Sequence, residues 1–135
     1  MARLHHIALG AVDVNGVAEF YRDVLGFEEL DRHDDASGEL RSIWLDAGGV
    51  TLMVERTSER RERVEGVGAG PFLLAISVEP DERAQIEDRL SAAGAEVEER
   101  TEHSSYARDP EGNRIAISHH PREPSDEMHA RIRDS

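Results

Sequence analysis

The sequence has no cysteine. Disulfides, thiolate zinc sites, iron–sulfur clusters and cysteine nucleophiles are therefore excluded. It has no lysine either, and all 16 basic residues are arginine. Schiff-base chemistry and a phosphate-cradling P-loop lysine go with it. Aromatic residues make up only 4% of the chain, with a single tryptophan, so stacking platforms are few. No apolar run approaches the roughly 20 residues that a membrane helix needs. The first residues, Met1-Ala2-Arg3-Leu4-His5-His6, carry no signal-type hydrophobic segment. A soluble, cytoplasmic protein is the expectation. Positive charge is also short: 29 acids against 16 arginines leave a net charge of −13. Phosphate backbones and anionic membrane surfaces repel such a chain, so neither nucleic acid nor membrane is expected as a partner.

What is present, within 135 residues, is a repeat. The length suits one domain with a core of its own. His6-Ile7-Ala8-Leu9 resembles Leu73-Leu74-Ala75-Ile76, 67 residues on, and helical patterns follow both and stop at Gly26 and Gly94. Asp46-Ala47-Gly48-Gly49-Val50-Thr51-Leu52-Met53-Val54 and Asp109-Pro110-Glu111-Gly112-Asn113-Arg114-Ile115-Ala116-Ile117 share one pattern, aspartate, glycine three later, then two apolar residues in alternation. Three matches in the same order indicate two copies of one module.

Each module reads strand, helix, then strands. Residues 4–10 alternate as a strand does. Asp13 suits the N-cap of a helix over 14–25, with Val17, Phe20, Tyr21, Val24 and Leu25 on one face and Gly26 just past its end. Strands follow at 27–32, 40–46 and 50–55, the last two joined by the Asp46–Gly49 turn. In the second copy the strand is 72–78. Pro80 opens a helix over 80–93 with Ile86, Leu90 and Ala93 inward. Strands then fall near 95–100, 104–108 and 113–118. The domain therefore divides into module 1 (3–55), an Arg/Glu- then Gly-rich linker (56–71), module 2 (72–118) and a polar tail (119–135), in which Ser125 could cap a short helix.

This order, twice over, resembles the vicinal oxygen chelate superfamily, which includes glyoxalase I, methylmalonyl-CoA epimerase, extradiol dioxygenases, and fosfomycin- and bleomycin-resistance proteins. The strongest matches are His5-His6-Ile7-Ala8-Leu9, Phe20-Tyr21-Arg22-Asp23-Val24-Leu25-Gly26-Phe27 and the run Tyr106–Ile115 with its Asp109-Pro110-Glu111-Gly112-Asn113 turn. The resemblance implies an α+β fold: two βαβββ modules forming a curved mixed sheet around a cup, with the helices outside. It also implies a homodimer, in which modules are sometimes exchanged between chains.

In metalloenzymes of the superfamily, four side chains hold a divalent ion, from the first and last strands of each module. Carried onto this chain, those positions are His6, Met53, Leu73 and Ala116. Strand alternation sends the same residues into the cup. Ile7, Leu9, Leu52 and Val54 pack on the module 1 helix, as Leu74, Ile76, Ile115 and Ile117 do in module 2. His6, Thr51, Met53, Glu55, Leu73, Ala75, Ser77, Arg114, Ala116 and Ser118 then face inward. Only His6 of the four ligand positions suits a hard or borderline ion, so no metal is expected there. The alternative is a shifted set, His6, Glu55 and His120, displaced about 7 Å along its strands. Set against it is the plain reading of Glu55 as the start of the charged linker and of His119-His120 as a solvated strand end.

Other residues have two readings. His5 shares the helix-facing side with Ile7. His103 precedes a strand near Tyr106, where some dioxygenases of the superfamily carry assisting residues; otherwise it is a solvated loop histidine. Trp44 either lines the cup or packs between elements. Tyr106 and Arg108 fall opposite Ile43 and Leu45 in the repeat, yet are polar, so their facing stays open. Arg108 either binds a ligand or makes a surface ion pair. The leading expectation is a metal-free protein resembling bleomycin-resistance proteins, holding a small apolar or cationic molecule among His6, Trp44, Met53, Leu73, Ala116, Tyr106 and Arg108. The alternatives are a lyase, isomerase or dioxygenase-type enzyme, using the shifted metal set or His6 as a general base, and a scaffold whose cup is filled core.

Overall fold

The computed structural model describes residues 1–121. The Ser125 cap falls outside them. Module 1 runs β1 (His6–Ala11), α1 (Val14–Leu25), β2 (Glu28–Asp34), β3 (Leu40–Asp46) and β4 (Thr51–Arg56). Module 2 runs β5 (Leu74–Ser77), α2 (Pro80–Ala92), β6 (Glu99–Arg100), β7 (Ser104–Arg108) and β8 (Arg114–Ser118). Each module makes one mixed four-stranded sheet, in the order β1-β4-β3-β2 and β5-β8-β7-β6. The first strand runs parallel to the last, and the other pairs are antiparallel. The α+β class and the two βαβββ modules expected from the sequence are observed. Among the described residues no strand pairing joins the two sheets.

Local chemistry sets the ends of the elements. Asp13 Oδ1 accepts from the Gly16 amide at 3.0 Å, which caps α1. Gly26 stops the helix at φ +73°, a left-handed conformation that a side chain would strain. The helix buries Val14, Val17, Ala18, Phe20, Tyr21 and Val24. α2 begins at Pro80, where the Glu79 amide donates to Glu82 Oε1 at 2.9 Å. It buries only Ile86 and Leu90. Strand 95–100 shrinks to β6, although Ala95 and Val97 still pack on the core.

The hairpin turns differ by one residue. Asp46 pairs with Thr51, leaving residues 47–50 in the first turn, whereas Arg108 pairs with Arg114 and leaves 109–113 in the second. Asp46 Oδ1 organises the first by accepting from the amides of Gly48 (2.9 Å) and Gly49 (3.0 Å). Asp109 Oδ1 organises the second through Glu111 N and Asn113 N, both at 2.9 Å.

The helices pack on each other, so the helix-facing sides of both sheets share one core. It runs from Val17, Ile43, Leu45 and Val54 to Ile86, Leu90, Ile115 and Ile117. The two recognisable motifs meet inside it. Tyr21 Oη donates to Asp109 Oδ2 at 2.8 Å. Two residues on, Glu111 Oε1 accepts from the amides of Val12 (2.9 Å) and Asp13 (3.2 Å), and Arg60 Nε reaches its other oxygen at 2.9 Å. The turn after β7 thus grips both the entry of α1 and the linker. Further along the linker, Arg63 pairs with Glu98, and Arg108 donates to Val64 O.

Candidate functional site

With the helix faces buried together, alternation leaves the other face of each sheet open. On module 1, Leu52, Val54, Ile43 and Leu45 are all buried against α1. Their neighbours Thr51, Met53, Glu55, Ser42 and Trp44 therefore lie on the open face. Register arranges that face in rows. His6 pairs with Thr51, Ala8 with Met53, and Gly10 with Glu55. Across the next strand, Met53 pairs with Trp44 and Glu55 with Ser42; beyond them, Trp44 pairs with Asp31 and Ser42 with His33. On module 2, Ala75 pairs with Ala116, Ala116 with Tyr106, and Tyr106 with Glu99. The middle rows therefore correspond: Ala8–Met53–Trp44–Asp31 and Ala75–Ala116–Tyr106–Glu99.

This settles the facing of Tyr106. It is the counterpart of Trp44 and lies on the open face, not the counterpart of buried Ile43 that fixed-offset alignment suggests. The extra residue in the second hairpin turn shifts β7 by one, and one residue exchanges the two faces of a strand. Arg108 has the same parity, but its guanidinium is occupied. It donates to Val64 O (2.6 Å) and Gly112 O (3.1 Å), and lies 3.3 Å from Glu98 Oε2. It fastens the linker, and with its side chain only 10% exposed it is an interior clamp on backbone carbonyls more than a surface ion pair.

Arg114 is the cation of this face. Its guanidinium carbon lies 5.0 Å from the Phe72 ring centre and 4.6 Å from that of Tyr106. Its terminal nitrogen reaches Glu99 Oε2 at 3.3 Å. Sequence reasoning placed Arg114 inward but missed this stack, because a strand over 72–78 puts Phe72 on the helix side with Leu74, whereas β5 begins only at Leu74.

The histidines sort as follows. His5 does not join Ile7 on the helix side; it is exposed ahead of β1, and its Nδ1 lies 2.9 Å from His6 Nδ1. His33, which no motif or spacing singles out, tilts over Trp44 with ring centres 4.9 Å apart. His103 lies 5.3 Å from His119 and 5.2 Å from His120, ring centre to ring centre. His119 Nε2 is 3.2 Å from the guanidinium of Arg83, which also bonds the carbonyls of Thr101, Glu102 and Ser104. That arginine ties the start of β7 to α2.

The donor set at the metal positions is one imidazole, one thioether and two hydrocarbons. Such a set does not fit a catalytic divalent ion. Within one chain the shifted set is dispersed. Glu55 stands opposite Gly10, four residues along β1 from His6; at about 3.3 Å per residue that is roughly 13 Å. His120 ends the other sheet, its amide donating to Ser118 Oγ at 3.1 Å. Among the described residues no three histidine, aspartate or glutamate side chains converge as metal ligands would.

The model of the Glyoxalase/Bleomycin resistance protein/Dioxygenase superfamily matches residues 3–117, nearly all of the described chain. The chain belongs to that superfamily. Its fold is similar to a mutant fosfomycin resistance protein FosX of Listeria monocytogenes, complexed with Mn(II) and 1S,2S-dihydroxypropylphosphonic acid, at 19% identity, TM-score 0.76, and 96% and 98% coverage of the two chains. FosX of Mesorhizobium loti is similar at 14% identity, TM-score 0.75 and the same coverage. TioX of Micromonospora sp. ML1 is similar at 25% identity, TM-score 0.66, over 89% of this chain and 100% of that one. No curated protein matches the sequence significantly. Superfamily members of this fold thus include one solved with a small-molecule ligand. No helix among the described residues is long and apolar enough to cross a membrane.

Proposed function

We propose that this chain binds a small apolar or cationic molecule without a metal, in a cup assembled from one module 1 face and one module 2 face. The observation that carries the reading is the middle row of each face. It offers Ala8, Met53 and Trp44 on one side and Ala75, Ala116 and Tyr106 on the other, with Asp31 and Glu99 at the rims. This is an apolar floor with acid at its edge, in a chain of net charge −13. Neither arginine on the module 2 face has free charge: Arg108 is held by the linker, and Arg114 by Glu99 and two rings. Phosphonates and other multiply anionic ligands are disfavoured accordingly. Because the open faces point away from the shared core, the cup takes its second half from another copy, which makes a homodimer the working form.

A second reading keeps the metal that accompanies FosX. It places a divalent ion on His6, Glu55 and His120, which requires the strands to slip so that His6 and Glu55 of one module come together. Thermal melting separates the two. A genuine site at 100 times its dissociation constant adds about 2.7 kcal/mol of stability. For a domain this size the melting shift is on the order of 10 °C. We expect no such shift with manganese, nickel, zinc or ferrous ion, and His6→Ala to alter ligand affinity instead. A metal-induced shift that Glu55→Ala and His120→Ala each abolish would replace the metal-free reading with the enzyme reading.

A further inference from the structure

Among the described residues, four buried side-chain polar atoms have no hydrogen-bond partner: His33 Nε2, Ser42 Oγ, Trp44 Nε1 and Arg114 Nε. All four belong to residues on the open faces. None lies in the shared core, where Tyr21, Asp109 and Ser105 are fully bonded. Unpaired buried polar groups are uncommon and each costs stability. Finding all of them on the surfaces that form the cup calls for a local cause.

Three of them are neighbours. Ser42 and Trp44 share one face of β3, two residues apart, and His33 pairs with Ser42 from β2. Ser42 is 1% exposed, so its hydroxyl is withdrawn from water as well as from protein partners. His33 Nε2 lies 3.3 Å from Asp31 Oδ2, outside hydrogen-bond alignment. The fourth atom sits in the equivalent half, where the Arg114 guanidinium stacks on Tyr106. Two of the four, the indole N–H and the guanidinium Nε–H, only donate; the Ser42 hydroxyl donates or accepts, and His33 Nε2 does one or the other according to its tautomer. These donors lie beside aromatic surface in both halves: the Trp44 indole in one, the Tyr106–Arg114–Phe72 stack in the other.

Resting on the cup reading above, we propose that the ligand is a planar aromatic molecule bearing carbonyl-type acceptors. It lies between Trp44 of one face and the Tyr106–Arg114 stack of the other. Its acceptor oxygens take the hydrogen bonds of Trp44 Nε1 and Ser42 Oγ on one side and of Arg114 Nε on the other. Trp44 Nε1, Ser42 Oγ and Arg114 Nε have no hydrogen bond of their own to give up, and Arg114 can keep its terminal nitrogen on Glu99 while its Nε meets the ligand. Ser42, Trp44 and Arg114 are then the specificity-determining residues, and the unpaired donors reject a merely greasy ligand, which would leave them unpaired.

The chain offers a convenient reporter, because Trp44 is its only tryptophan. The probes are 9-acridone, planar with one carbonyl; N-methylacridinium, planar and cationic without an acceptor; and dodecyltrimethylammonium, cationic and not planar. We expect 9-acridone to quench Trp44 and to bind the intact protein most tightly by calorimetry. Ser42→Ala and Arg114→Met should each weaken it roughly tenfold, the loss of one hydrogen bond to a desolvated site. Trp44→Phe, which retains a ring but not the N–H, should do the same. Without ligand, Ser42→Ala should melt no lower than the parent, since it removes an unpaired hydroxyl; a residue with a purely structural role would lower it. Binding of dodecyltrimethylammonium alone, unaffected by the three variants, overturns the proposal while leaving the general cup reading intact. Tighter binding of N-methylacridinium than of 9-acridone overturns the acceptor requirement. Binding of no probe overturns the proposal, and absence of stabilisation across a wider panel of apolar and cationic molecules overturns the cup reading itself.

Discussion

Tyr21 carries a hydroxyl into the shared core, and the whole residue is buried. The hydroxyl survives there because Asp109 accepts from it at 2.8 Å. Burial pushes the phenol pKa well above its ordinary value, and the charge and hydrogen bond of Asp109 push it the same way. The phenol therefore stays protonated and donating through the neutral range. A raised folded-state pKa contributes stability that is fully present below the unfolded value near 10 and is lost only above it. Tyr21→Phe should cost about 1–2 kcal/mol in urea unfolding. The difference from the parent should be constant from pH 6 to 9. A variant as stable as the parent would show that Asp109 is satisfied by Asn113 and the turn amides alone. The residue scale is also where the sequence was least legible. His6, Met53 and Ala116 could be placed on the open face by alternation, because apolar strand neighbours flank them; Leu73 lies ahead of β5, outside its pairing. Tyr106 could not, because one extra residue in a turn decides its face. The stack on Arg114 and the tilt of His33 over Trp44 depend on side-chain angles that no spacing records.

At the scale of elements, the ends of α1 were legible because each is fixed by one local bond, Asp13 to Gly16 N and the Gly26 amide to Arg22 O. The strands were legible wherever one face is buried. β6 was not, because Glu98, Glu99 and Arg100 all reach solvent and no alternation marks its length. Nor does any pattern announce that the turn before β8 clasps module 1. That clasp is Glu111. Burial raises its carboxyl pKa, but Arg60 and the amides of Asp13 and Val12 more than offset this and hold it below the usual carboxylate range. Glu87 and Glu98 are held low in the same manner, by Arg100 and Ser105, and by Arg108 and Arg63. A carboxyl held below its unfolded pKa contributes stability above that value and loses it as pH falls through the folded one. The chain should therefore lose stability steadily below about pH 4.5. Glu111→Gln keeps an acceptor for the amides but removes the charge that Arg60 meets. We expect it to destabilise the fold at pH 7 by about 1 kcal/mol. Its stability should then fall less than the parent's between pH 5 and 3. An unchanged acid slope would assign the pH dependence to the other carboxyls.

At the scale of the molecule, the shared core is finished at one side of each sheet and open at the other. Leu52, Val54, Ile115 and Ile117 are at most 3% exposed, whereas Ile7, Leu9, Leu74 and Ile76, on the strands beside them, are only partly buried. Those last four belong to β1 and β5, which each pair on one side only. Between them lies a cleft of about 740 Å³, lined by Ile7, Leu52, Leu74, Ile76 and Ile86. Unpaired edges, exposed core residues and two half-cups thus occur at the same border. In the proposed dimer one cover would meet all three needs: a second copy with its β5 edge beside β1 and its open module 2 face completing the cup. Light scattering at micromolar concentration should accordingly give twice the 15.0 kDa chain mass. A monomeric mass would refute the assembly. Exchange of modules has its own signature. Trp44 lies in module 1 and Arg114 in module 2, so a cup built from two chains draws one residue from each. In a dimer of one Trp44→Phe chain with one Arg114→Met chain, an exchanged arrangement puts both substitutions in one cup and none in the other. Random mixing of the two variants should then restore parent affinity for 9-acridone in about a quarter of all cups. If each chain closes its own cup, every cup carries one substitution and mixing restores nothing.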